Sequence, residues 1–451
     1  MALDYIRHTD ITLRTLSQVH IGNGDKLSSV GDYLITSKSL YFLDNDRLLR
    51  DIEQAGRTAD FVKALRAFQT GFDFAGTLEE WGINHGDYHT REIPLHQSGE
   101  ITTSNNLLYR CVGIPVTDNR YQLPYIPGST LKGLLRTAII FQYYRDHPGE
   151  LSSLEAKVKR EVENAQNVKK ALNHLWQGIE SDILPLKLFQ SIRLTDSQPF
   201  KEIEVVVEQT HRQHFYGIET EGLDWLTECI KKGAETRFDL SIVSGGQNNA
   251  FNYLESPSPK HIFSILNQHS KLLIEQEIDL LKAGSHAVEV RDKLLAQLAG
   301  YKDQIDEGGQ SYAITRIGKG KTLFFITVLP LLSKQLQKKV LQRLRREGSD
   351  TIQSRVVTTV DPQLFGWIRL EKEPPPISFP NNQVEEIIPE VTTLEVVVTG
   401  HKKVSFQLND ELLESIQLID QMKRKPREGD QITVIVWRLK NDGTINQVKY
   451  L

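Results

Sequence analysis

Sulfur is scarce in this chain: two cysteines, Cys111 and Cys229, and two methionines stand among 451 residues. Two thiols cannot build a disulfide framework or a thiolate-rich zinc site, and they fit a reducing, cytoplasmic setting. Long apolar runs are missing as well. None approaches the roughly 20 residues that a membrane-spanning helix needs, and the first residues lack a signal-peptide profile. A surplus of positive charge is also absent, with 54 Lys and Arg against 58 Asp and Glu and a formal charge of −4. Any nucleic-acid binding must therefore come from local patches rather than a bulk field. With 39% hydrophobic and 25% charged residues, the chain has the composition of two or three folded domains.

Catalytic constellations are equally thin. No nucleophile elbow, zincin motif or kinase set occurs. His211-Arg-Gln-His214 sets two imidazoles three apart, near enough to share a metal on a helix. No third ligand is in register, and a solvated loop is the simpler reading. Asp25 and Asp32 follow the first strand-like segment without a companion base or ion clamp. The expectation is no catalytic residue, no metal and no cofactor.

What is present is concentrated in a few segments. Tyr125-Ile-Pro-Gly-Ser-Thr-Leu-Lys-Gly-Leu-Leu-Arg-Thr-Ala138 reads as an extended approach, a Pro-Gly turn and a helix entered through Ser129 as N-cap. Leu131, Leu134, Leu135, Ala138 and Ile139 fall on one helical face, and Ser129, Lys132, Gly133 and Arg136 on the other. Free N–H groups after Gly128 and two cations one turn apart suit a phosphate chain. An ordinary amphipathic helix with a solvated basic face explains the same pattern.

Thr315-Arg-Ile-Gly-Lys-Gly-Lys-Thr322 invites a nucleotide-binding reading and fails it. A Walker loop needs glycine where Thr315 stands, and a dinucleotide fingerprint needs one where Leu323 stands. What remains is Arg316, Gly318, Lys319, Gly320 and Lys321 between two strand-like segments, an arrangement that lets backbone and cations approach a phosphate. A hairpin turn with solvated lysines is the competing reading.

Together with Ile11-Thr-Leu-Arg-Thr-Leu-Ser-Gln-Val-His-Ile-Gly-Asn-Gly24 and Phe365-Gly-Trp-Ile-Arg-Leu370, these segments resemble the RAMP superfamily, the RNA-binding subunits of CRISPR effector complexes. The glycine-rich loop and the Gly-Trp segment are most similar to the fifth subunit of type III-A (Csm) complexes. The resemblance spans roughly residues 8–370 as scattered motifs. It implies an α+β chain with a ferredoxin-like, RRM-related core at 1–370 carrying helical insertions near 151–182 and 260–300. It implies a non-catalytic guide-RNA-binding subunit that caps the 3′ end of the crRNA and contacts a neighbouring backbone subunit. Other subunits of a type III complex are partners on this reading, target RNA is a further candidate, and no membrane is involved. His20, Gly22, Gly24, Gly128, Ser129, Lys132, Gly133, Arg136, Arg316, Gly318, Lys319, Gly320 and Lys321 become the RNA-binding candidates. Tyr33 and Tyr125 are stacking candidates, and Trp367 reads as core. In backbone subunits an aspartate in a Pro-Val context cleaves target RNA. Val30-Gly-Asp-Tyr-Leu lacks that continuation. Another type III subunit with endonuclease activity, or a stand-alone crRNA-processing endoribonuclease, stays open as an alternative.

Beyond the core, 371–390 is proline-rich and reads as a linker, and 391–451 as a small β-rich module around a helical Glu411–Met422. The basic run Lys423-Arg-Lys-Pro-Arg427 reads first as a solvated turn. A strand is expected over 322–329, a basic helix over 331–347, and a helix over 46–70 with Leu48, Leu49, Ile52, Phe61, Leu65 and Phe68 inward.

Overall fold

The computed structural model describes residues 6–29, 31–66, 73–96, 107–115, 122–183, 192–216, 224–243, 258–325, 327–344, 351–372, 393–400, 403–408, 411–419, 430–439 and 445–450. They fall into two compact units, Met1–Glu373 and Pro374–Leu451. The greater part of the linker at 371–390 and the basic run at 423–427 lie outside the described residues.

The strands of the first unit are β1 (Ile6–Thr15), β2 (Gly22–Ser28), β3 (Tyr33–Ile35), β4 (Ser39–Leu43), β5 (His89–Pro94), β6 (Leu107–Cys111), β7 (Gly113–Pro115), β8 (Gln122–Pro124), β9 (Ile192–Leu194), β10 (Val205–His214), β11 (Asp224–Ile230), β12 (Glu235–Val243), β13 (Tyr312–Arg316), β14 (Ser354–Thr358) and β15 (Trp367–Lys372). Its helices are α1 (Asn45–Gln54), α2 (Thr58–Arg66), α3 (Phe74–Glu80), α4 (Gly128–Asp146), α5 (Pro148–Asn164), α6 (Val168–Ile183), α7 (Pro259–Lys282), α8 (Val288–Gly308) and α9 (Lys334–Leu344). The chain is mixed α+β.

One five-stranded sheet runs in the order β13-β15-β1-β12-β9, and a second runs β14-β10-β11-β6-β2. β1 alternates buried Ile11, Leu13 and Thr15 with an exposed Arg14, so one face meets the core. β1 pairs antiparallel with both β12 and β15, which makes it the centre of its sheet. Against this sheet pack α4, α7 and α8, sharing one cluster that includes Leu135, Ile139, Phe263, Leu266, Leu298 and Trp367. Trp367 is fully buried beside Tyr301 and Phe325. Truncating such a residue costs about 3–5 kcal/mol through lost burial and the cavity left behind. α7 starts cleanly because Ser258 accepts a hydrogen bond from the His261 N–H and Pro259 occupies the first turn.

The second sheet joins β6 and β11 in parallel and buries Leu108, Val207 and Leu226 against the small sheet β3-β4-β5. Leu48, Ile52 and Phe61 of α1 and α2 are buried as the helical period requires, whereas Leu49 is 46% exposed. It neighbours Leu48 in sequence but lies about 100° round the helix. The second unit is a closed barrel of β16 (Thr393–Gly400), β17 (Lys403–Leu408), β18 (Glu411–Ile419), β19 (Gln431–Leu439) and β20 (Ile445–Tyr450), in the order β16-β17-β18-β20-β19.

Several sequence expectations are corrected. The expected helix at Glu411–Met422 is β18 over its described part, because pairing with β17 and β20 closes the barrel and overrides helical spacing. The expected strand at 322–329 is instead two short 3-10 turns, Leu323–Phe325 and Leu329–Leu331. Pro330 has no N–H for a ladder, and the Thr327 hydroxyl accepts from Leu329. His211 and His214 lie on β10, where an odd spacing sends side chains to opposite faces and rules out a shared metal. Among the described residues no helix is long and apolar enough to cross a membrane.

Candidate nucleic-acid interface

Three segments far apart in sequence are laced together at the end of β1. The Trp367 N–H donates to the Ser17 hydroxyl at 3.0 Å, and the Gly366 N–H donates to the Gln18 carbonyl at 2.8 Å. Val19 exchanges two backbone hydrogen bonds with Ile230, and the Lys319 N–H donates to the His20 carbonyl at 2.9 Å. The Ile21 carbonyl accepts from Val112 at 2.7 Å. The His-Ile-Gly loop, the glycine-rich loop and the Gly-Trp segment therefore form one structure.

Glycine is required at the two tightest contacts. Gly366 has φ +85° and would place a Cβ 1.9 Å from the Ile317 carbonyl oxygen; Gly318 has φ +67° and would place one 2.2 Å from that of His20. Both combine a left-handed backbone with a direct clash.

Beneath this loop lies an excess of positive charge. Arg316 is fully buried, donates from Nε to the Phe365 carbonyl at 2.7 Å, and sits over the Phe325 and Trp367 rings. Its Nη1 and Nη2 have no hydrogen-bond partner among the described residues. Burial lowers its pKa to about 10, with Glu277 opposing and Arg355 adding to the shift. Arg355 is buried in an ion pair with Glu277 at 2.7 Å, and Glu277 also accepts from the Thr322 hydroxyl. Lys321 is lowered by burial and by Arg316. Lys319 is lowered to about 8, chiefly by burial. Neither lysine forms an ion pair among the described residues. Arg316, Lys321 and the Arg355–Glu277 pair lie together here with more positive than negative charge, which a phosphate would offset.

Lys319 reaches the outer part of the second sheet. Its Nζ donates to the Thr227 hydroxyl at 2.9 Å and lies 4.3 Å from the Tyr109 ring and 5.0 Å from the Trp225 ring. Exposed Lys26 lies 5.2 Å from the Tyr109 ring. Tyr109 and Trp225 are half-buried and meet edge to face at 6.2 Å. Sequence reading missed this pair. Each is a lone aromatic in its strand, and only the parallel β6–β11 register, Thr227 opposite Tyr109, brings them together.

The other sequence candidates divide by position. His20 lies between β1 and β2 at the loop entry, and its side chain is packed rather than open to solvent. Its Nδ1 lies 2.8 Å from the Glu228 carbonyl, and burial, with Lys319 adding, lowers its pKa to about 4. Tyr33, expected as a stacking surface, is 1% exposed because its strand face packs on Leu40 and Ile93. Gly22 and Gly24 are exposed on β2. Asp32 is spent on structure, accepting from the Ser28 N–H and the Asn45 side chain. Asp25, exposed on β2, accepts from the Asn23 side chain.

The helix candidates sit elsewhere on the unit. α4 begins at Gly128 with Pro127 as N-cap, so Ser129 lies inside the helix and is not its cap. The Gly128 N–H already donates to the Asp196 carboxylate at 2.7 Å, which occupies the anion-binding end. A Cβ on Gly128 would meet the Leu194 carbonyl at 2.4 Å, whereas Gly133 faces open space. Ser129 and Gly133 are exposed; Lys132, Arg136 and Tyr125 are half-buried. α4 packs on α7, where His269 meets Phe141 edge to face and its pKa is lowered to about 3 by burial and by Lys321.

Residues 12–331 match the model of the RAMP superfamily. The chain belongs to that family. It is 25% identical over 287 residues to the CRISPR system Cms protein Csm5 of Mycobacterium tuberculosis (strain CDC 1551 / Oshkosh), covering 56% of this chain and 72% of that one. It is 26% identical over 284 residues to the Csm5 protein of Methanocaldococcus jannaschii, covering 60% and 63%. Among solved structures it resembles a chain of a Csm–crRNA–target RNA ternary complex of a type III-A CRISPR-Cas system, with TM-score 0.57, 19% identity and 80% and 100% coverage. It also resembles T. onnurineus Csm5, with TM-score 0.53, 18% identity and 79% and 99% coverage. Those two likenesses speak to the fold.

Proposed function

We propose that this chain is the fifth subunit of a type III-A CRISPR interference complex, a guide-RNA-binding protein without an RNA-cleaving site of its own. The relatives carry that name, but the carrying observation is local. The glycine-rich loop carries Arg316, Lys319 and Lys321, both lysines partly desolvated and neither in an ion pair among the described residues, at the strand end where the family's motifs converge. On this reading the lysines and loop N–H groups take guide phosphates, and Tyr109 and Trp225 offer ring faces to splayed bases. Such contacts ignore spacer sequence, as a subunit serving many guides must. The first sheet with its helices serves as the ferredoxin-like core, the subunit caps the crRNA 3′ end beside a backbone subunit, and the complex works in the cytoplasm. Asp32, its carboxylate engaged by the Ser28 N–H and the Asn45 side chain, supports the non-catalytic reading over the endonuclease alternatives.

The test is fluorescence anisotropy with single-stranded RNAs of unrelated sequence across a salt series. Lys319→Ala with Lys321→Ala should weaken all sequences alike and lower the slope of log affinity against log salt by about 1.4, since each lost phosphate contact is worth about 0.7. An unchanged slope would remove the loop from the interface. Lys132→Ala with Arg136→Ala, measured in parallel, decides whether α4 contributes.

A further inference from the structure

We infer that His96 is a positioning residue for the glycine-rich loop: its charged imidazole holds the buried carboxylate of Glu208, which holds Gln18, and through Gln18 the Gly366 backbone on which the loop rests. This role rests on the reading of that loop as the RNA contact, and it acts from outside the contact.

The bonds run without a break. His96 Nδ1 lies 2.9 Å from Oε1 of Glu208 on β10, and the Gln18 side chain donates to the same oxygen at 3.0 Å. The Gln18 carbonyl accepts from the Gly366 N–H at 2.8 Å, and the Gly366 carbonyl accepts from the Ile317 N–H at 2.8 Å. Ile317 precedes Gly318, whose left-handed backbone opens the loop. His96 is itself fixed to β10, since its N–H donates to the Val207 carbonyl at 3.0 Å and Leu95 bridges Val207.

Burial gives the first link its weight. Glu208 and Gln18 are buried, whereas the His96 side chain is 38% exposed and meets solvent. His96 supplies the cation of the ion pair that Glu208 forms among the described residues. A buried carboxylate stripped of its counter-charge is strongly destabilising. A neutral imidazole can still donate from Nδ1, but the bond then falls from charge-assisted to ordinary, roughly half as strong.

The charged groups facing His96 are Glu208 and Asp361, which lies beyond β14, and both favour the imidazolium. Glu208 in turn faces the buried thiol of Cys229 on β11. The hydrogen bond to Glu208 raises the His96 pKa above its ordinary 6.5, with burial opposing. A folded value above the unfolded one means that the brace is full below 6.5 and is lost as pH rises through the raised value.

Two measurements on the full chain separate the brace from the contact. Hydrogen exchange followed by mass spectrometry at pH 6 and 8.5, corrected for intrinsic rates, reads the brace; anisotropy with single-stranded RNA reads the contact. Protection of residues 16–20 and 364–367 should fall about tenfold between the two pH values in the native chain. His96→Gln should be poorly protected at both. Glu208→Gln, which removes the buried charge and keeps an acceptor, should lose the pH dependence. Circular dichroism first shows each variant to be folded, and comparison at equal pH cancels the titration of Lys319. RNA affinity should follow protection, several-fold weaker than native in His96→Gln at pH 6 and equal to native at pH 8.5. Protection in His96→Gln that tracks pH as the native chain does would overturn the inference. Altered protection with RNA affinity unmoved would instead sustain the brace and remove RNA from the loop.

Discussion

Lys319 carries the most information of any single residue in this protein. An ammonium held at about 8, against an ordinary value near 10.5, is partly neutral just above physiological pH. RNA affinity should therefore fall as pH rises through about 8, since only the protonated form attracts phosphate. Lys319→Arg, which stays charged, should flatten that dependence. Anisotropy titrations from pH 6.5 to 9 check it; an identical pH profile in the arginine variant would detach Lys319 from binding. His269 makes a complementary prediction about stability. Both its ring nitrogens lack hydrogen-bond partners among the described residues, and its folded pKa of about 3 lies below the unfolded value of 6.5. Between those values the unfolded chain binds the extra proton, so stability is full above pH 6.5 and is lost as pH falls toward 3. His20, at about 4, acts in the same direction. His269→Leu should leave stability at pH 7 unchanged or raised, and should shrink the drop in melting temperature between pH 7 and pH 5.

At the scale of elements, glycine positions separate architecture from interface. Gly318→Ala should destabilise the unit by at least about 2 kcal/mol, because a positive φ and a carbonyl clash coincide and the docking of the loop is lost. Gly133→Ala should stabilise α4 by up to about 1 kcal/mol, because its Cβ enters open space on a helix. Thermal melts compare the two. Reduced RNA affinity in the stabilised Gly133 variant would mean that RNA needs the bare backbone there.

The elements also mark what was legible in the sequence. The buried stripe of α4, with Leu131, Leu134, Leu135, Ala138 and Ile139, could be read from its period because it packs along its whole length. β18 could not. Glu411-Leu-Leu-Glu-Ser-Ile-Gln-Leu-Ile has helical spacing, and only partners on both sides make it a strand. The α4 cap was misread because the acceptor at Gly128 is Asp196, 68 residues away. The glycine-rich loop was legible as a motif, but the burial of Arg316 was not, since it depends on what covers it. Tyr109 and Trp225 left no linear trace at all.

For the molecule as a whole, the division at Glu373 predicts modular behaviour. A chain ending at residue 390 keeps every strand of the two large sheets. It should stay folded, melt within a few degrees of the full protein and bind short RNA through the loop. An insoluble fragment would show that the barrel completes the core. With a net charge of −4, neither protein should bind RNA appreciably at high salt, since local patches are screened within a Debye length of about 3 Å at 1 M.

The position of β15 sets the order of events during synthesis. That strand lies between β13 and β1, joining the two, and it is the last strand of its unit in the chain. Until residue 372 has left the ribosome, β1 and β13 each wait with an open edge, and the Gly366 and Trp367 bonds to Gln18 and Ser17 cannot form. Closing a loop of this length is slow, and unpaired edges invite other chains. Nascent chains halted anywhere before 372 should aggregate or be degraded, while those released just beyond it fold. Completing β15, the last short strand of the unit, should therefore limit yield more than the long helices made before it.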